Sequence, residues 1–245
     1  MDFNEYVRGI RFRALQPDDP LTEENLESLR RVAGSRPLDY ANTELPIPDE
    51  NLQLNLLDLC RRPRMSTFAN GAIIHRAVSE MEQGTSFVNV GVWHGFTLFS
   101  GMSGNPDMPC VGIDNFSEFT DGPFINPRQP FYDRFKAEEN ALHRFHEMDY
   151  RDYFAKIHQG PIGFYIYDGE HDYDNQLHGL QIAEPFFSNH CLILVDDTNW
   201  EEPRKGTLDF VAQSRNRYEM LFDLKTACNG HPTFWNGIMI FRRIG

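Results

Sequence analysis

Two short stretches concentrate side chains that could do chemistry together. Asp168-Gly169-Glu170-His171-Asp172-Tyr173-Asp174 and Asp196-Asp197 follow the apolar runs 162–167 and 191–195. Carboxylates gathered at neighbouring strand ends repel one another, and their pKa values rise unless a cation compensates. Asp168, Asp196 and Asp197 together suit a hard divalent ion such as Mg²⁺, which takes a few carboxylate oxygens plus water and substrate oxygens. The plainer alternative is that one or two of them cap the helices that follow. His171, three residues past Asp168, can take a proton from a hydroxyl held at such an ion; otherwise it is a surface or capping histidine.

A third stretch, Asn89-Val90-Gly91-Val92-Trp93-His94-Gly95-Phe96-Thr97, ends another apolar run. Gly91 and Gly95 allow a tight turn and close approach of a ligand to the backbone. The N-terminus of the next helix offers free N–H groups to a carboxylate or phosphate. The spacing is GxxxG and not the GxGxxG of dinucleotide enzymes, which argues against a nicotinamide cofactor. Asp114 closes the run 110–114, where a carboxylate can accept from a ribose diol or cap a helix.

For these residues to meet, their runs must be strands of one sheet with helices between them. The spacing predicts strands at 86–92, 110–114, 144–149, 162–167, 191–195, 220–224 and 235–241. Helices are expected near 66–81, 132–142, 177–187 and 205–216. Strands separated by helices mean βαβ units and a largely parallel sheet. The link 225–234 is too short for a crossover helix, so the last strand is expected to be reversed. Ligands in open sheets of this kind bind at the carboxyl ends of the strands. The expected fold class is therefore α/β: a Rossmann-like, seven-stranded, mostly parallel sheet with a reversed last strand, plus a helical N-terminal extension. The boundary is drawn between residues 1–65, Pro-rich with short helices at 22–32 and 52–60, and residues 66–245. Residues 116–130 form a Pro/Gly loop insertion. This insertion and the extension are expected lids, and the extension is also an expected homodimer contact.

The 245 residues allow one large domain with an appendage. Twenty Phe and 40% hydrophobic residues exclude a disordered chain. The formal charge of −13 disfavours nucleic acid as a partner. Cys60, Cys110, Cys191 and Cys228 form no CxxC pair and are expected to be thiols, buried at 110 and 191. With no secretory h-region and no apolar stretch long enough for a membrane span, the expected location is cytoplasmic, without membrane partners.

Taken together, these motifs resemble the class I S-adenosylmethionine-dependent methyltransferases, most closely the small-molecule O-methyltransferases with D-G-x-H-x-Y and D-D segments. Residues 87–97 look like the family's glycine-rich cofactor motif, Val111-Gly112-Ile113-Asp114-Asn115-Phe116 like its second-strand motif, and 234–240 like its closing reversed strand. The resemblance implies S-adenosylmethionine held by Asn89, Gly91, Trp93, His94, Gly95, Thr97, Asp114, Asn115, Asp149, Tyr150 and Asp168. Asp114 would take the ribose, and Asp149 and Tyr150, at the end of the third strand, would flank the adenine. It implies Mg²⁺ on Asp168, Asp196 and Asp197, with His171 as base where the catechol type has a lysine, and Asp168 in the catalytic set. Asn199, Trp200, His231 and Trp235 are candidates for contacting a hydroxylated small molecule, a sugar or other natural-product intermediate; each can equally be a packing residue. Asn89 departs from the usual Glu or Asp and brings no charge for the cofactor's ammonium. Two other readings stay open: a metal-independent methyltransferase using His171, and a non-catalytic cofactor-binding accessory protein.

Overall fold

The computed structural model describes residues 1–118 and 126–245. Helix α1 (Phe3–Gly9) is fixed by a capping box in which Asp2 accepts from Glu5 N–H and Glu5 accepts from Asp2 N–H. Strand β1 (Arg11–Phe12) follows, then α2 (Glu23–Ala33), α3 (Leu38–Asn42), β2 (Thr43–Glu44) and α4 (Glu50–Cys60). The two-residue strands pair antiparallel; they are too short to leave an alternation in the sequence. Phe3, Tyr6 and Val7 of α1 and Leu52, Leu56 and Leu59 of α4 are buried in one core with Ile73, Ile74 and Val78 of α5 (Phe68–Ser79).

From there strands and helices alternate: β3 (Ser86–Val90), α6 (Phe96–Met102), β4 (Cys110–Asp114), α7 (Arg128–Glu138), β5 (His143–Glu147), α8 (Tyr150–Lys156) and β6 (Ile162–Tyr167). The chain continues through α9 (Tyr173–Ala183), β7 (Phe187–Asp196), α10 (Glu201–Gln213), β8 (Tyr218–Leu224) and β9 (Ile238–Arg243). The large sheet has seven strands in the order β5-β4-β3-β6-β7-β9-β8. The first five are parallel, and β9 runs antiparallel to both neighbours. This is the expected Rossmann-like sheet with its reversed last strand.

Strand β6, between β3 and β7, is buried along its whole length. Its alternate side chains feed two cores: Phe164 and Ile166 pack with α5 and α6, Tyr165 and Tyr167 with α9. A strand covered on both faces reads as a continuous apolar run, which is why it was legible. Element ends differ from expectation where capping decides them. The third strand stops at Glu147; Asp149 caps the unforeseen α8, accepting from Arg151 N–H, and Tyr150 is that helix's first residue. Helix α10 begins at Glu201, not 205, because Glu201, Glu202 and Pro203 are favourable first-turn residues. Strand β7 begins at Phe187, and Trp235 precedes the last strand, which starts at Ile238. All four cysteines are free thiols; Cys60, Cys110 and Cys191 are buried. No described helix is long and apolar enough to cross a membrane. The expected insertion at 116–130 falls partly outside the described residues.

Candidate active site

The parallel strands end together. Val90 is in register with Ile113 and Tyr167, so the loops after β3, β4 and β6 share one edge of the sheet. A cleft of about 190 Å³ opens there, lined by Gly91, Trp93, Asp114, Asn115, Asp149, Tyr150, Asp168 and His171, among others. These eight were expected site residues. The cleft also takes Met65, Glu118, Arg151 and Glu170, which the motifs did not single out. Arg151 and Glu170 lie next to motif residues and could have been found by adjacency; Met65 has no sequence signal.

Gly91 has φ +77°, and a Cβ placed on it would lie 1.8 Å from the Asp168 carbonyl oxygen. The glycine is required by packing of β3 against the end of β6, before any ligand is considered. Gly95, at φ +88°, is the N-cap of α6, and a Cβ there would meet the Phe99 ring at 2.2 Å. Asp114 Oδ2 accepts from Val92 N–H at 2.8 Å and Trp93 N–H at 2.9 Å, and Oδ1 from Phe116 N–H at 2.7 Å. Three of a carboxylate's roughly four acceptor positions are thus taken, so Asp114 braces the glycine turn and has one position left for a ribose hydroxyl. Tyr150 lies edge-on to Tyr167 with centroids 5.4 Å apart, and the Arg151 guanidinium sits 4.6 Å from the Tyr150 ring centre.

Four expected cofactor residues stand back from the cleft wall: Asn89, His94, Thr97 and Gly95, the α6 N-cap described above. Asn89 is fully buried; its Nδ2 donates to Gly91 O at 3.0 Å, and its Oδ1 has no hydrogen-bond partner. Thr97 is buried in the first turn of α6, and His94 stands edge-on to Trp93. The Asn89 oxygen is buried and unpartnered and does not reach the cleft wall.

The acids converge beside this cleft. Asp168, His171 and Asp197 each offer a ligand atom within 4.8 Å of the others. His171 Nε2 lies 2.9 Å from Asp197 Oδ2 and 3.9 Å from Asp168 Oδ1. Asp196, on the last residue of β7, is buried with Oδ1 unpartnered. Burial, then the charges of Asp196 and Asp197, holds the Asp168 carboxyl well above the usual range. Burial and the Asp197 charge push Asp196 up to about 7, with His171 opposing. Burial alone would lower the His171 pKa, but the hydrogen bond and charge of Asp197 outweigh it, and the net shift is upward. The ligand atoms that cluster are those of Asp168, His171 and Asp197, two carboxylates and an imidazole that could hold a divalent ion; Asp196, expected as the third ligand, lies outside this set, its buried oxygen unpartnered.

The substrate candidates separate. Trp200 is 39% exposed and lies edge-on to His171, ring centres 5.4 Å apart, at the rim of the acid cluster. His231 is fully buried, held between Thr233 Oγ1 and the Asp19 carbonyl, so it offers a substrate nothing. Asn199 is bound to Thr226, and half-buried Trp235 exchanges both backbone hydrogen bonds with His231. These two residues and His231 build the turn behind Asp197. Asn236, which the motifs did not suggest, donates to Asp197 Oδ1.

A family model described as a methyltransferase domain matches residues 88–198, which run from β3 through the Asp196-Asp197 pair. No curated protein matches the sequence. Among solved structures, the chain resembles an O-methyltransferase from Bacillus cereus in complex with SAH (TM-score 0.57, 13% identity, covering 81% of this chain and 92% of that one). It also resembles the O-methyltransferase TomG from Streptomyces achromogenes, involved in tomaymycin synthesis and solved with SAM (TM-score 0.53, 14% identity, 81% and 92%). A TDP-rhamnose 3′-O-methyltransferase of calicheamicin biosynthesis aligns over 94% of this chain and 99% of its own (TM-score 0.51, 18% identity). Residues 88–198 are thus similar to a methyltransferase domain, and the chain has the Rossmann-like fold of these methyltransferase structures.

Proposed function

We propose that the protein is an S-adenosylmethionine-dependent O-methyltransferase acting on a hydroxyl of a small molecule, a sugar or other natural-product intermediate, with Mg²⁺ assisting. One observation carries this reading. Asp168 and His171 belong both to the wall of the cleft and to the acid cluster, so a cofactor in the cleft and an acceptor at the cluster would meet. Bound S-adenosylmethionine would supply a methyl already activated by its sulfonium. Mg²⁺, held by Asp168 and Asp197, would supply charge that polarises the acceptor hydroxyl.

The chain's own residues do the rest. Trp93, Asp114, Asp149 and Tyr150 bind and orient the cofactor in the cleft. His171 donates Nε2–H to Asp197, which leaves Nδ1 to take the acceptor's proton. Trp200 gives the acceptor a flat apolar face beside that imidazole. The cleft wall carries Asp114, Glu118, Asp149, Asp168 and Glu170 against Arg151, whose guanidinium is already bonded to Asp149 and Asn175. This favours an acceptor without phosphate. A phosphorylated acceptor turned over better than its dephosphorylated form would contradict the charge argument.

The 2.9 Å His171–Asp197 contact also supports a second reading, a base and its orienting carboxylate working without metal. Calorimetric titration with S-adenosylhomocysteine tests the main reading; saturation at one site per chain is expected, and no binding over a wide range would refute it. Chelation by EDTA then separates the two: it abolishes turnover and spares cofactor binding if Mg²⁺ is used, and changes nothing if it is not.

A further inference from the structure

The Asp197 carboxylate is set from behind. Asp197 adopts φ +53°, the left-handed conformation that aspartate takes more readily than most non-glycine residues. Its two carboxylate oxygens are divided: Oδ2 faces His171 and Oδ1 accepts from Asn236 Nδ2. Asn236 is buried, and both ends of its amide are engaged. Its Oδ1 accepts from Gly230 N–H at 2.7 Å, which fixes which end of the amide faces Asp197. Its backbone carbonyl accepts from Asn199 N–H at 2.7 Å. Asn199 in turn clamps Thr226, accepting from its N–H at 3.0 Å and donating to its Oγ1 at 2.9 Å.

The turn 225–237 that carries Asn236 is tied to the N-terminal segment. Ala227 N–H donates to the Pro17 carbonyl at 2.8 Å. The His231 ring spans from Thr233 Oγ1 at 2.8 Å to the Asp19 carbonyl at 3.0 Å. A carbonyl can only accept, so Nε2 carries the proton and Nδ1 accepts from the threonine hydroxyl. A continuous set of hydrogen bonds therefore runs from residues 17–19 to the Asp197 carboxylate.

We propose that Asn236 is a positioning residue for the acid cluster: its amide holds the Asp197 carboxylate in the orientation that receives a divalent cation, on a turn anchored by residues 17–19. This rests on the metal-assisted form of the proposed function. A hydrogen bond to a metal-ligating carboxylate fixes its direction, and losing such an outer partner typically costs about 10–100-fold in metal affinity. Asparagine suits the place because one amide meets both a carboxylate and a backbone N–H; an aspartate would set charge against charge.

The test is titration of the full-length, S-adenosylhomocysteine-saturated protein with Mn²⁺, followed by calorimetry, for wild type, Asn236→Ala and Asn236→Ser. The serine hydroxyl is too short to reach Asp197 but keeps a polar group in the turn, which guards against a misfolded alanine variant. Mn²⁺ affinity is expected to fall about 10–100-fold in both variants, with S-adenosylhomocysteine affinity within about twofold of wild type. Unchanged Mn²⁺ affinity in a folded variant overturns the proposal. So does an equal loss for both ligands, which marks general damage to the turn. If wild type binds S-adenosylhomocysteine but no Mn²⁺, the metal-assisted reading falls and this proposal with it. If wild type binds neither, the methyltransferase reading itself fails.

Discussion

Gly91→Ala separates what the glycine turn does for the fold from what it does for a ligand. Gly91 sits at φ +77°, where an alanine costs about 1–2 kcal/mol of backbone strain. Its Cβ would also lie 1.8 Å from the Asp168 carbonyl oxygen and 2.4 Å from the carbonyl carbon. Backbone atoms cannot rotate away as a side chain can, so β3 and β6 must separate at their ends; overpacking of this kind adds about 1–3 kcal/mol. The sum, about 2–5 kcal/mol, corresponds to a Tm lowered by about 4–20 °C for a chain of this size. Gly84→Ala is the internal control: its φ is +83°, but nothing lies within 4 Å of the added carbon, so only the strain of about 1–2 kcal/mol applies. Melting followed by circular dichroism should place Gly91→Ala well below Gly84→Ala. Calorimetry should show S-adenosylhomocysteine binding lost in the first and kept in the second. A Gly91→Ala protein that melts with the control and binds normally would refute the claim that β3 and Asp168 must touch.

The acid cluster makes stability depend on pH. Asp196, pushed up to about 7, Asp168, raised well above the usual carboxylate range, and His171, also raised, all bind protons more tightly folded than unfolded. Their contribution is therefore greatest at low pH and is lost as pH rises from the ordinary carboxylate range toward and past 7. In EDTA, Tm should fall between pH 5 and 8; Asp196→Asn should flatten that slope, and Mg²⁺ at pH 8 should restore Tm. An equal slope in wild type and variant would contradict this account. His171→Ala should lower kcat by about 10²–10⁴ with little change in cofactor affinity. In wild type, kcat should rise with pH as the imidazole loses its proton, and a rate unchanged by the substitution would remove His171 from the chemistry.

How much was legible beforehand follows from where physics leaves a local mark. The run Ile162–Tyr167 was visible because two-faced burial makes it apolar throughout, and the run 110–113 because most of it is buried ahead of the acid at its end. Asp168, Asp196 and Asp197 were visible because acids at the ends of apolar runs are unusual. Helix α1 leaves a local trace in the sequence: Phe3, Tyr6, Val7 and Ile10 stand at helical spacing behind an Asp2/Glu5 capping box. Helix α8 carries a similar trace, Tyr150, Tyr153 and Phe154 behind the Asp149 cap, but Asp149 and Tyr150 also read as the end of the third strand, which hid it. His231 shows the opposite limit. Its residue type suggested a substrate contact, yet its partner Asp19 lies 212 residues away in sequence, and no local pattern could show that the ring is a buried strut. Asn236 was missed for the same reason.

The non-glycine left-handed residues among the described ones are Trp93, Phe116, Asp197 and Trp235. The first three follow β3, β4 and β7. The fourth precedes β9, whose antiparallel register puts Ile238 opposite Asp196 at the same edge. At about 1–2 kcal/mol each, this edge stores strain comparable with a domain's net stability of about 5–15 kcal/mol, so something must hold it. Trp235 is held by its paired hydrogen bonds with His231, both 3.0 Å, and Asp197 by His171, Asn236 and the Trp200 N–H on its carbonyl. Trp93 and Phe116 are both held by one side chain, Asp114, through their backbone N–H groups at 2.9 and 2.7 Å. Asp114 must then act on the fold before it acts on any ribose. Asp114→Asn keeps the size but loses the charge and turns an N–H₂ toward a backbone N–H. Losing a charge-assisted bond of about 1.5–3 kcal/mol should lower the ligand-free Tm by about 3–12 °C. If Asp114 only contacted ligand, the ligand-free protein would melt at the wild-type temperature and only the shift on adding S-adenosylhomocysteine would shrink. Melting curves with and without that ligand tell the two apart, and an unchanged ligand-free Tm would show that the strained edge is held by something other than Asp114.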